Sequence, residues 1–229
     1  MLVYLRHAFP RAKFTVLGDS EQALFKPLQL PQAMLVELST ALDAQRPNLI
    51  TLNRSYRSTK EITDFAKALL PDGDQVISFT RHGDKPQLKI RYDQAAYDRA
   101  LLDSVAELRQ KYDTVAVLTK NLAQAQSVYR FLHRQSVSDL HLLHARDSEL
   151  PTGVLVLPIY LAKGLEFDAV VATDVSENNL ANVDAVGMVY TMATRSMHRL
   201  TLLSKGAVSS AINAVASRHL VIDHELADK

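Results

Sequence analysis

Residues 156–168 read VLPIYLAKGLEFD, and the rest of the chain is best read outward from them. An apolar strand runs to Pro158, a short turn carries Lys163, Gly164 and Glu166, and a second apolar run, AVVA at 169–172, follows Asp168. A strand, a tight basic and glycine-bearing turn ending on carboxylates, and another strand make a place where a polar ligand meets a sheet edge. Lys163-Gly164 does not make a phosphate loop, because the pattern GxxxxGK[ST] occurs nowhere in the 229 residues. Glu166 is therefore read as a hydrogen-bond acceptor for a sugar hydroxyl, a role carboxylates fill in nucleotide sites.

On either side, short β-branched apolar runs alternate with longer helical patterns. Strands are expected at 13–17, 49–52, 75–79, 88–92, 114–118, 153–158, 169–173 and 200–203. Helices are expected at 31–43, 59–70, 94–112, 122–135 and 183–197. Ala96, Ala100, Leu101, Val105 and Leu108 recur at helical spacing, so one face of that helix packs on a sheet. Strands alternating with helices predict βαβ units and an α/β fold with a mostly parallel sheet flanked by helices. Turns are expected at 71–74 and 82–86. Residues 1–11 and the strand after them read as pieces of a different sheet, as though the chain began inside a domain.

Composition narrows the class. With 47% hydrophobic and 22% charged residues the chain is an ordinary globular protein rather than a disordered one. A net charge of +1 gives no global field, so any nucleic-acid contact must be a local patch. The absence of cysteine excludes disulfides and thiolate metal sites. The eight histidines show no metal-ligand spacing, and no metal is assigned. No apolar run is long enough to span a bilayer and no signal-peptide pattern opens the chain, so no membrane partner and a cytoplasmic location are expected.

Three further segments carry chemistry. In FTVLGDSEQ, residues 14–22, Gly18 allows a sharp turn, Asp19 can orient a neighbouring group and the Gln22 amide can sense a phosphate oxygen. In NRSYRSTKEI, residues 53–62, a strand gives way to a helix with Ser58 or Thr59 as N-cap. Arg57 stands just ahead of that helix, where an anion is favoured, and Tyr56 offers a flat face for a base. In VYTMATRSMHRL, residues 189–200, Tyr190, Ala193 and Met197 share helical spacing and read as core. Arg195, near the helix end, reads either as a cation opposite the helix dipole or as a guanidinium aimed at a phosphoryl group.

In this order the segments resemble the later motifs of superfamily-one helicases of the UvrD type. GDSEQ is similar to motif III, SYRST to motif IV, YLAKGLEFD to motif V and YTMATRSMHRL to motif VI. LPIYLAKGLEFDAVV and VYTMATRSMHRL look most like the helicase IV, or HelD-type, branch. The resemblance implies two RecA-like domains of the P-loop NTPase type with ATP between them. Residues 1–45 would be the end of the first domain and 46–229 the second. By the same likeness Gln22 senses the γ-phosphate, Arg57 and Arg195 act as arginine fingers, Tyr56 stacks on adenine and Glu166 holds the ribose. Gly18, Asp19 and Gly164 complete the nucleotide-binding set. DNA is the implied partner, together with the protein's own upstream part and, for the HelD branch, RNA polymerase.

Departures from the family pattern bear on activity. After Gln22 the chain continues ALFKP rather than the aromatic and Arg-Gly-Ala segment that stacks single-stranded bases. Tyr160-Leu161 stands where His-Ser is usual. The Walker A and B motifs, and with them the ligands of Mg²⁺, are expected upstream, so this chain alone is expected not to hydrolyse ATP. The alternative from another class is a non-catalytic module of helicase fold that binds nucleic acid or polymerase.

Overall fold

The computed structural model describes residues 2–16, 31–43, 48, 50, 54–71, 73, 77–78, 80–147 and 149–224. Helices α1 (Leu2–Ala8) and α2 (Pro31–Leu42) pack on each other. A small parallel pair, β1 (Arg54–Ser55) and β2 (Ile77–Ser78), encloses α3 (Lys60–Ala68) in sequence. The main body then runs β3 (Gln87–Arg91), α4 (Gln94–Arg109), β4 (Thr114–Thr119), α5 (Leu122–Arg134) and β5 (Leu140–Leu142). It continues through β6 (Gly153–Pro158), β7 (Phe167–Ala172), α6 (Glu177–Leu180), α7 (Ala185–Ala193) and β8 (Ser196–Lys205). Short helices α8 (Ser210–Asn213) and α9 (Ala216–His219) lead to β9 (Val221–His224).

Seven of these strands form one sheet in the order β5-β6-β4-β7-β8-β3-β9, every neighbouring pair parallel. The central strands have no polar face. Val115 and Val117, Val154 and Val156, and Ala169 and Val171 meet Leu101, Val105, Leu108 and Leu132 of α4 and α5. On the opposite face Leu118, Leu155, Leu157 and Val170 meet Ile62 and Phe65 of α3 and Met188 and Met192 of α7. Helices on both faces of a parallel sheet explain why the strand sequences are continuous apolar runs instead of alternating ones. Capping starts the helices: Asp93, Asn121 and Asp184 accept from the backbone N–H of Ala96, Gln124 and Gly187 at 2.8, 3.0 and 2.9 Å.

Some expectations need correction. Residues 13–16, read as a strand, lie in irregular backbone. They are followed by residues outside the described set, as is most of the strand expected at 49–52. The helix expected at 183–197 stops at Ala193, and Met197 is already in β8. Thr59 holds the N-cap position of α3, but its side chain makes no capping bond.

Candidate functional site

Strands β7 and β8 begin side by side, Phe167 opposite Ser196. In a parallel pair this puts the preceding residues, Glu166 and Arg195, at the same edge of the sheet. The join is made by hydrogen bonds. The Phe167 N–H donates to the Arg195 carbonyl at 2.9 Å, and Arg195 Nη1 donates to the Leu165 carbonyl at 3.3 Å. Arg195 Nη2 also donates to Thr194 Oγ1 at 3.3 Å. Arg195 stands in the turn directly after α7, whose C-cap is Thr194, and its side chain is folded inward at 1% exposure. A buried guanidinium is tolerable only with hydrogen-bond partners, and the loop carbonyl supplies one.

The segment carrying Arg57 docks on the same edge. Ser58 Oγ donates to the Ser196 carbonyl at 2.6 Å, and the Thr59 N–H donates to the Met197 carbonyl at 3.1 Å. These two bonds bring the start of α3 onto the start of β8. Arg57 Nε then reaches Glu166 Oε1 in an ion pair across 109 positions of sequence, with side-chain exposures of 36% and 41%. Exchange with water limits such an open pair to less than about 1 kcal/mol, so a competing ligand can take either partner. Tyr56 next to it is 59% exposed. Gly164 has φ +87, and a Cβ there would have no atom within 4 Å. Its glycine is required by backbone conformation and not by crowding.

Thus Arg57, Gly164, Glu166 and Arg195 gather at one loop edge, with Tyr56 beside them, although the two arginines point differently. Arg57 faces solvent with its partner; Arg195 braces the loop from beneath. Gln22, Gly18 and Asp19 lie outside the described residues. Asp168, the carboxylate that ends the motif, is structural: its Oδ2 accepts from the Thr114 N–H and hydroxyl at 2.9 and 2.8 Å and so aligns β7 with β4.

Sequence reasoning missed a second layer. Residues 82–86 read only as a turn, yet the loop they form clamps α3. The two oxygens of Glu61 meet His82 Nδ1 and the Gly83 N–H, each at 2.8 Å. Burial pushes the Glu61 carboxyl up, but these two bonds outweigh it and hold it below the ordinary value. Beside the clamp is an open groove of about 480 Å³ lined by Thr59, His82, Asp84, Tyr112, Asp168 and His198. The rings of Tyr112 and His198 stack there, centroids 6.1 Å apart. Arg81, in no motif, donates through Nη2 to the carbonyls of Arg57 and Met197. Only its arginine in a turn-rich stretch could have drawn notice. Among the described residues no cluster of three or more side chains could hold a metal ion, and no helix is long and apolar enough to cross a membrane.

Residues 153–203, which contain β6, the rim loop, β7, α7 and most of β8, match the UvrD-like helicase C-terminal domain. Among solved structures, the C-terminal domain of a possible DNA helicase from Lactobacillus plantarum WCFS1 is similar at 32% identity and a TM-score of 0.64. That match covers 74% of this chain and 99% of the other. The C-terminal domain of the DEAD-box protein Dbp5 gives a looser likeness at 13% identity and a TM-score of 0.42, covering 61% of this chain and 89% of that one. No curated protein sequence matches.

Proposed function

We propose that this chain, which belongs to the UvrD-like helicase C-terminal domains, is the second RecA-like lobe of an ATP-driven DNA helicase or translocase. The observation that carries the reading is the meeting of three segments at one loop, with Arg57 on Glu166 and Arg195 on Leu165. An exposed aromatic, a carboxylate and the Arg57 guanidinium at one edge suit a base, a ribose and a phosphate tail, with the Arg195 guanidinium buried beneath the loop. ATP would supply the transferable phosphoryl group and Mg²⁺ its charge neutralisation, with the metal ligands in the other lobe. In this chain Tyr56 stacks the base, Gly164 shapes the loop, Glu166 accepts from the ribose, and Arg57 leaves Glu166 for the phosphates. Arg195 moves from the Leu165 carbonyl toward the same charge.

Guanidiniums that reach the phosphoryl only on closure stabilise the transition state more than the ground state, which couples turnover to movement of the lobes. By the family likeness residues 1–45 belong to the first lobe, and Gly18, Asp19 and Gln22 to the nucleotide-binding set. With no phosphate loop of its own, the chain does not turn over ATP alone. The likeness of 157–171 and 189–200 to the HelD branch favours remodelling of RNA polymerase on DNA, in the cytoplasm, over processive unwinding.

The test is a structure of the complete protein with a non-hydrolysable ATP analogue and Mg²⁺. Arg57 should have left Glu166 for a phosphate oxygen, with the adenine against Tyr56. A nucleotide bound elsewhere, with the Arg57–Glu166 pair intact, contradicts the reading. The burial of Arg195 favours one second reading, in which that arginine only braces the loop and the chain is a binding module without chemistry. That reading predicts binding of single-stranded DNA or polymerase by the complete protein with no stimulated ATP turnover.

A further inference from the structure

Arg81 lies outside every segment that the nucleotide reading uses, yet it touches two of them. Its Nη2 donates to the Arg57 carbonyl and, at 3.3 Å, to the Met197 carbonyl. Its own carbonyl accepts the Lys60 N–H at 2.8 Å. One residue therefore grips the chain on both sides of Ser58 and ties it to the first residues of β8. The Met197 carbonyl is a shared point, since it also receives the Thr59 N–H at 3.1 Å.

The consequence falls on Arg57. Ser58 and Thr59 anchor only the chain on the C-terminal side of Arg57, and tilting of the Arg57–Ser58 peptide plane would still shift the Arg57 Cα and its side chain along the rim. Holding the Arg57 carbonyl fixes that plane and with it the Arg57 Cα, and with Ser55 held upstream in the β1–β2 pair it narrows the directions in which the Cα–Cβ bond can leave the backbone. A guanidinium suits the task because its donors are charged and planar, whereas lysine offers a flexible point charge.

We infer that Arg81 is a positioning residue for ATP turnover: it aims Arg57 along the rim toward the place where Glu166 and Arg195 stand. This role rests on the proposed function and deepens it. Misplacing a group by about 1 Å can cost about 100-fold in rate, so Arg81→Gln in the complete protein should lower kcat by roughly 10- to 100-fold. KM for ATP should stay within about threefold, because exposed Tyr56 and Glu166 are untouched. Arg81→Lys should fall between wild type and Arg81→Gln, and it carries the test if the glutamine variant does not fold.

The deciding arm is a double-mutant cycle. If Arg81 acts through Arg57, adding Arg81→Gln to Arg57→Ala lowers kcat no further. An equal loss in both backgrounds, an unchanged kcat, or a change confined to KM overturns the positioning role and leaves the proposed function standing. If Arg57→Ala itself leaves kcat intact, both the function and this role fall.

Discussion

The middle of the sheet and its rim obey opposite rules. In the middle, Val154 to Leu157 and Ala169 to Ala172 are wholly excluded from water, and each side chain meets a helix on one face or the other. At the rim, Glu166, three residues before Ala169, and its partner Arg57 are more than a third exposed and hold each other by an open ion pair. The middle gains its stability from apolar area removed from water, about 25 cal/mol per Å², and no single contact there is exchangeable. The rim gains little stability from its contacts, which is what allows a ligand to replace them. Phe167 and Glu166, adjacent in the chain, stand on the two sides of this divide at 0% exposure and at the surface.

The sharpest break across that divide is Phe167→Ala. Removal of a buried ring should destabilise the 229-residue chain by about 3–5 kcal/mol in urea unfolding. A cost below about 1 kcal/mol would mean that the rim loop is not seated on the core. Gly164→Ala lies between the two regimes. A side chain at φ +87 would meet no atom but would strain the backbone, at roughly 1–2 kcal/mol. Unfolding should report that modest cost, while the loop's altered path should weaken nucleotide binding by the complete protein. An unchanged stability and affinity would show that the loop tolerates another backbone path.

The sequence made the buried side of the divide readable. Strands β4, β6 and β7 carry unbroken apolar runs at 115–118, 154–157 and 169–172, and Ala100, Leu101, Val105 and Leu108 of α4 face the sheet as their spacing implied. The edge strands escaped notice for the same physical reason. Leu140–Leu142 is three residues long, and Val221–His224 is exposed throughout, so neither carries a burial signature. The helical period through Tyr190, Ala193 and Met197 misled because it continues into a strand. The chain turns at Arg195, whose backbone is claimed by Phe167 and whose side chain is claimed by the loop.

At the candidate site, residue types were legible and their partners were not. Tyr56, Arg57, Gly164, Glu166 and Arg195 could be picked out by motif order. That Arg57 would sit on Glu166, 109 positions away, or that Arg195 would turn inward onto Leu165, 30 positions away, depends on register between separate elements. Arg81 and the Glu61–His82 clamp left no local trace, because their work is done on backbone groups and on one exposed loop.

The claim that Arg57 serves turnover and not the fold is tested most directly by Arg57→Ala, since its side chain is 36% exposed and its loss leaves no closed cavity. In the complete protein, kcat for ATP should fall by about 10³-fold or more with KM changed far less, and the unfolding midpoint of the 229-residue chain should stay where it was. Full turnover at saturating ATP, or a midpoint that drops as far as it does for a core substitution, would contradict it.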